Sequence, residues 1–402
     1  MTSIDIGLAP FATVYFGDGR PSVAGETDMA KGLFPPTPRT LQGAFRTRLL
    51  DDVGLQARAA EFVGPSANLP AGWAIRGPWL AEWTETAGDS GEVVCLERVQ
   101  TWYAAPGFLL RPRSPGGLPQ CLTPIRMDRG SQARGPDWDL QGTTAVVAPE
   151  AARFEPWTGY LSAATMSSLV RGRWPRDARF GELPSFVKLE TRPGIAIDPA
   201  TNRVQPGMLY ARRHYRFGPA SGFAGHFEGQ LSEPLRSSAL TAGACHLGGR
   251  ARLVSLHEIR DWHHSVAALS SGAHLSELAD AEDACVWLIL TTPAFLKDPA
   301  RPNLSVSHAG GALASVLAAA IAETRSLGGF SFEKRTSGPS RRYVMPGTCW
   351  LVQLRGGTPS DRLQILTGLH DAIAVGDDVA DAGFGFGHTF VAQAAKELVE
   401  DS

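Results

Sequence analysis

The chain has 402 residues, too many for one ordinary domain, and 43% of them are hydrophobic, enough for sizeable cores and against a disordered chain. Charged residues make up 19% and the formal net charge is −2, so overall charge gives no support for nucleic-acid binding. Any basic surface has to come from local clustering.

Taken in order, Ala12–Phe16 is predicted as a strand. Pro38–Leu50 is predicted as a helix, with Thr37 as its N-cap and Pro38 in the first helical position. Residues 51–183 are rich in Pro, Gly and Trp and read as an irregular insertion. The insertion holds Trp73, Trp79, Trp102, Trp157 and Trp174, which are expected in a core, with a subunit interface as the alternative. Phe186–Ile197 and Gly207–Phe217 read as a hairpin around the turn 198–202. A weak helix near Glu233–Ala242 and a strand at His246–Leu256 follow.

The second half repeats the plan. Cys285–Thr292 is a continuous apolar run, as in a strand buried on both faces. Leu313, Val316, Leu317, Ala320 and Ile321 recur at helical spacing. Gly328–Arg335 and Arg342–Leu354 read as strands, Leu363, Leu366, Leu369 and Ile373 as a helical stripe, and Phe386–Ala392 as a last strand. Both halves thus give the order βαββαβ. The expected architecture is α+β: two ferredoxin-like domains, 1–258 with the insertion and 259–402.

Gly32–Arg48 is the segment richest in signals. Leu41, Ala44, Phe45 and Leu49 share one helix face, while Arg39 and Arg46, two turns apart, share the other with Gly43 between them. An Arg–Gly–Arg face at a helix start fits a phosphate cradle; by spacing alone a solvated helix face is the commoner reading. On the hairpin, Lys188 and Arg192 alternate onto one face, as do Tyr210, Arg212, His214 and Arg216. Arginines with an interleaved tyrosine suit single-stranded RNA, and an ordinary amphipathic hairpin is the alternative. Arg250 and Arg252 follow Gly248-Gly249 in the same manner, or lie on a plain polar edge strand.

The glycine-rich stretch Gly383-Phe384-Gly385-Phe386-Gly387-His388 leads into a strand rather than a helix, so a dinucleotide-binding loop is excluded. An RNA-facing loop and a tight turn both remain open. No H-E-x-x-H, P-loop or G-x-S-x-G is present. Asp261-Trp262-His263-His264 is a weak metal candidate, because adjacent residues project apart. His214 and His388 are the histidines with the reach of a general base for RNA cleavage, and a merely hydrogen-bonding role is commoner. The five cysteines, Cys95, Cys121, Cys245, Cys285 and Cys349, have no CxxC spacing and read as buried thiols of an intracellular protein. Neither a signal peptide nor a membrane span is expected.

Asp18-Gly19-Arg20-Pro21, Gly32-Leu33-Phe34-Pro35-Pro36 and Pro38-Arg39-Thr40-Leu41 with Gly43 and Arg46 resemble the N-terminal signature of the third-subunit family of the Cmr complex, the type III-B CRISPR–Cas effector. Ile75-Arg76-Gly77-Pro78, Glu190 to Asp198, Gly207-Met208-Leu209-Tyr210, Leu247-Gly248-Gly249-Arg250, Thr292-Pro293-Ala294-Phe295, Gly328-Gly329-Phe330 and Pro346-Gly347-Thr348 keep the same order. The final glycine loop is shared by the wider repeat-associated (RAMP) superfamily. One departure is Phe330-Ser331, where the family often has tryptophan and aspartate.

The resemblance implies two ferredoxin-like domains and a cytoplasmic, non-catalytic subunit in antiviral defence. It would bind the repeat-derived 5′ tag of the CRISPR RNA (crRNA), beside the large polymerase-domain subunit and the backbone subunits. The RNA-contact candidates become Arg20, Arg39, Gly43, Arg46, Lys188, Arg192, Tyr210, Arg212, His214, Arg216, Arg250, Arg252, Arg335, Gly385 and His388. No catalytic residue, metal or cofactor is expected. The alternative is a metal-independent endoribonuclease of the same superfamily that processes crRNA.

Overall fold

A computed structural model of the chain describes residues 2–17, 29–30, 32–52, 72–87, 93–113, 118–126, 144–147, 154–198, 200–231, 243–248, 252–260, 262, 269, 271–328, 330–331, 336–337, 340–395 and 399–400. The mixed α/β chain is mostly strand with few helices.

The first half is built on an eight-stranded sheet. Its middle consists of β1 (Thr2–Pro10), β2 (Ala74–Ala87), β7 (Ser221–Gly229) and β9 (Arg252–Ile259). They lie in the order β9-β1-β7-β2, antiparallel throughout. Helix α1 (Pro38–Asp52) covers one face. Thr37 offers its carbonyl to the amides of Thr40 and Leu41, as expected of the residue that starts the helix. Leu41, Phe45 and Leu49 then pack with Ile6, Leu8, Phe223 and Phe227. Strands β3 (Val93–Ala104) and β4 (Tyr160–Ser162) extend the sheet beyond β2, and β8 (Gly243–Leu247) extends it beyond β9.

The first half therefore differs from the sequence reading in its choice of strands. Residues 12–16 are not a strand; only Val14 makes an isolated bridge, to Tyr215. The supposed irregular insertion supplies β2, β3 and β4, and Trp73, Trp79, Trp102, Trp157 and Trp174 are buried, as expected of core residues. His246–Leu256 is two strands, with Gly248 at φ +76° where the chain leaves β8. The hairpin does form, as β5 (Val187–Ile197) and β6 (Val204–Phe217), but in a separate sheet with the short strand Met29–Ala30. Because it leaves the main sheet, Leu189, Ile195, Ile197 and Val204 are exposed rather than packed inside. The predicted helix near 233–242 lies outside the described residues.

The second half has β10 (Cys285–Leu290) at its centre, buried between β12 (Cys349–Gly356) and β13 (His388–Gln393). Beyond β12 lies β11 (Ala312–Ala320). This strand is the segment predicted as a helix. Its alanine-rich run has high helix propensity, but its whole length pairs with β12 through a bulge between Val316 and Ala318, and tertiary pairing overrides local preference. The long predicted strand from 342 is broken by a turn at Pro346-Gly347 into Arg341–Val344 and β12. Helix α2 (Pro359–Leu369) follows, started by a capping box between Thr358 and Asp361. The order β13-β10-β12-β11 is antiparallel.

One core joins the halves. Phe108 stacks on Trp287 at 5.0 Å, and Tyr103 meets Phe390 edge-on at 5.4 Å.

Candidate nucleic-acid interface

Strand pairing places Lys188 opposite Arg216, Glu190 opposite His214, Arg192 opposite Arg212 and Gly194 opposite Tyr210. With a side-chain period of two, these residues share one face of the hairpin. That face, Tyr15 and Arg252 enclose a cleft of about 150 Å³, lined also by Arg192, Gly194, Tyr210, Arg212 and His214. Five expected contact residues thus converge: Arg192, Tyr210, Arg212, His214 and Arg252.

Charge in the cleft is unevenly balanced. Glu190 accepts hydrogen bonds from Arg216 and, at 3.0 Å, from Arg192. These two bonds hold its carboxyl below the usual range. Arg212 and Arg252 have no carboxylate partner among the described residues, and the Nε atom of each is buried without a hydrogen-bond partner there. Such groups are rare in native structures because each forfeits its hydration. His214 is buried, with Nδ1 3.3 Å from Thr13 Oγ1 and its ring stacked on Tyr15. Burial, then the charges of Arg192, Arg252 and Arg212, push its pKa below the ordinary imidazole value.

Tyr15 and Gly194 were missed from sequence. Tyr15 is brought to the cleft by the Val14–Tyr215 bridge, a contact distant in sequence. Gly194 carried a readable signal, a glycine inside a strand, which marks close approach of a neighbour. A Cβ on it would lie 2.4 Å from Cζ of Tyr210.

Other expected contacts fall elsewhere. Lys188 and Arg216 are exposed on the same hairpin face, away from the cleft lining. Arg39 is exposed, but its Nη2 donates to Asp381 at 3.1 Å and its guanidinium lies over Phe384. Arg46 does not join it on an open face: it is 8% exposed, and burial lowers its pKa. Helix α1 packs along β8, with the Arg48 guanidinium against Gly243. The paired cradle is therefore not formed, although Gly43 is exposed and a Cβ there would meet nothing within 4 Å.

The glycine loop is a tight interior turn rather than an exposed one. Gly385 has φ +93°, and a Cβ would sit 2.1 Å from the Ile75 carbonyl oxygen. His388 is fully buried, with its ring nitrogens 2.7 Å from Thr291 Oγ1 and 3.1 Å from Asp371. Neither residue is placed to meet RNA. Arg20, Arg250, Arg335, His263 and His264 lie outside the described residues. Among the described residues, no group of three or more His, Cys, Asp or Glu could hold a metal ion, and no helix is long and apolar enough to cross a membrane.

A mixed α/β chain, mostly strand, is compatible with the CRISPR-associated class that the N-terminal signature resembles. Residues 6–393 match the family model described as CRISPR-associated protein (Cas_Cmr3), and the chain belongs to that family. Structural likeness to solved chains is low. A chain in the cryo-EM structure of the type III-B Cmr-beta bound to cognate target RNA aligns at 11% identity and TM-score 0.39, covering 88% of this chain and 86% of that one. A chain in the complex bound to cognate target RNA and AMPPnP, state 1, gives 12% and 0.36, covering 87% and 86%. One in the apo state gives 12% and 0.29, covering 64% and 98%. No curated protein matches.

Proposed function

We propose that this chain is a non-catalytic subunit of a cytoplasmic type III-B CRISPR effector. It holds the 5′ tag of the crRNA and docks on the large polymerase-domain subunit beside the backbone subunits. The observation that carries the RNA part is the cleft of Arg192, Arg212 and Arg252 with Tyr15 and Tyr210, in which two guanidinium groups lack a carboxylate partner among the described residues. Docking rests on the family membership.

Two ferredoxin-like halves, 1–258 and 259–402, fit the strand orders. β9-β1-β7-β2 and β13-β10-β12-β11 each run fourth, first, third, second in chain order, all antiparallel. On this reading the hairpin, β3 and β4 are insertions between the second and third strands of the first half. The second half lacks a helix between its first two strands.

The test is binding of a synthetic tag RNA by the full chain across a salt series. Arg212→Ala with Arg252→Ala should weaken binding at least tenfold and flatten the log–log salt slope by at least ~0.7, the value for one lost single-strand phosphate contact. Wild-type affinity and slope in the double variant would overturn the assignment.

His214 in the same cleft favours one second reading, an endoribonuclease. Incubation with a repeat-containing RNA separates the two: specific cleavage lost in His214→Ala supports the enzyme, and intact RNA supports the holding role.

A further inference from the structure

Tyr15, Arg212, Tyr210 and Gly194 form a stack that determines what the cleft can accept. The Arg212 guanidinium lies 5.4 Å from the centre of the Tyr15 ring and 4.8 Å from that of Tyr210. Tyr15 also stacks on His214, at 5.6 Å and 29° between planes. Tyr210 lies against the Gly194 backbone, so close that a side chain there would displace the ring. Both tyrosines are thus engaged in holding a cation and a neutral imidazole, and offer little free ring face to a base. What the cleft presents instead is a fixed guanidinium fork, with Arg192 and Arg252 beside it. A planar fork of this kind matches a tetrahedral oxyanion in two-point contact. The guanidiniums of Arg212 and Arg252 line the cleft without a carboxylate partner among the described residues, which leaves that place to an oxygen-rich ligand.

We infer that the cleft is a phosphate clamp: it takes one phosphate group and reads no base. As a site for RNA this rests on the RNA-holding reading above. The clamp chemistry itself does not, because a free pyrophosphate carries the same group.

The experiment uses the full chain, oligo(A) and oligo(U) of equal length, and inorganic pyrophosphate. Arg212→Ala should weaken both RNAs by the same factor, about tenfold, and lower the salt slope by ~0.7. A neutral methylphosphonate, moved along the RNA one linkage at a time, should reproduce that loss at one linkage in the wild type and add nothing in Arg212→Ala. Arg212→Lys keeps the charge and loses the fork; it should weaken both RNAs equally with the slope unchanged, and it serves if the alanine variant fails to fold.

A loss that differs between the two RNAs, with the wild-type slope retained, would mean that the cleft reads bases and would overturn the clamp while RNA holding stands. If the wild-type chain binds neither RNA, the RNA reading fails, and pyrophosphate decides the clamp. Perturbation of the His214 ring resonances that disappears in Arg212→Ala supports it; unmoved resonances overturn it as well.

Discussion

Arg39 donates to the carboxylate of Asp381 at 3.1 Å, tying the first helix of one half to the glycine loop of the other. The two partners are unequal: their side chains are 47% and 5% exposed. Asp381 also accepts from the Tyr343 hydroxyl at 2.8 Å and lies 3.5 Å from Arg341. Removing the buried partner strands the Tyr343 hydroxyl and takes a carboxylate from Arg39 and Arg341, of which Arg341 keeps Asp378 at 2.7 Å, whereas removing the exposed one leaves Asp381 satisfied. Asp381→Ala should therefore lose about 3 kcal/mol of stability in urea denaturation, and Arg39→Ala less than about 1 kcal/mol. Equal losses would show that the carboxylate is not the hub.

Gly43 sits inside α1, exposed, with free space where a Cβ would be. Glycine in a helix interior costs about 0.5–1 kcal/mol relative to alanine. Gly43→Ala should stabilise the free chain by about that amount, read as a higher urea midpoint at constant m-value. If the surface is covered by RNA or a subunit in the assembled effector, the same variant should assemble less well. A destabilised free chain would mean that the helix face is not open.

Gly385→Ala and Gly387→Ala should act in the opposite direction. Both positions have positive φ, and a Cβ would lie 2.1 Å from the Ile75 carbonyl oxygen at Gly385 and 1.7 Å from that of Val375 at Gly387. Backbone atoms cannot yield as a flexible side chain can. Each substitution should cost about 2 kcal/mol or more and reduce soluble yield, measured by thermal melts.

Two histidines give opposite pH dependences. Burial alone would lower the pKa of His226, but the hydrogen bonds it donates to Asp5 and Glu228, with the charge of Asp5, outweigh it and raise the folded value. That contribution is fully present below the unfolded value of about 6.5 and is lost as pH rises through the raised folded one. His370 is pushed down to about 4, chiefly by burial. Its contribution is present above about 6.5 and lost as pH falls towards 4. Stability measured by urea midpoint should decline on both sides of a maximum. His226→Gln should flatten the alkaline side only; an unchanged alkaline limb would remove the assigned role.

Much of this was legible in local pattern. The run CVWLIL of β10, the Pro38 and Pro359 helix starts and the alternation of Arg192, Tyr210, Arg212 and His214 all reappear. Errors arose where a distant partner decides. β2 and β7 pair across a long intervening segment, so the stronger local alternation of the hairpin points instead to it as the second and third strands. Ala312–Ala320 reads as helix until β12 is beside it. Arg46 and His388 have residue types that suggest contacts with RNA, but the fold buries both, His388 against Thr291 and Asp371. Tyr15 enters the cleft through a single bridge to β6, which no spacing in the sequence encodes.

The most direct test of the RNA-holding account is photo-cross-linking in the assembled effector, with a photoreactive nucleotide in the crRNA tag and mapping of the joined peptides. The account predicts adducts in the hairpin, 187–217, and in the segment around Tyr15, both diminished by Arg212→Ala. Adducts confined to other parts of this chain, or to other subunits alone, would contradict it.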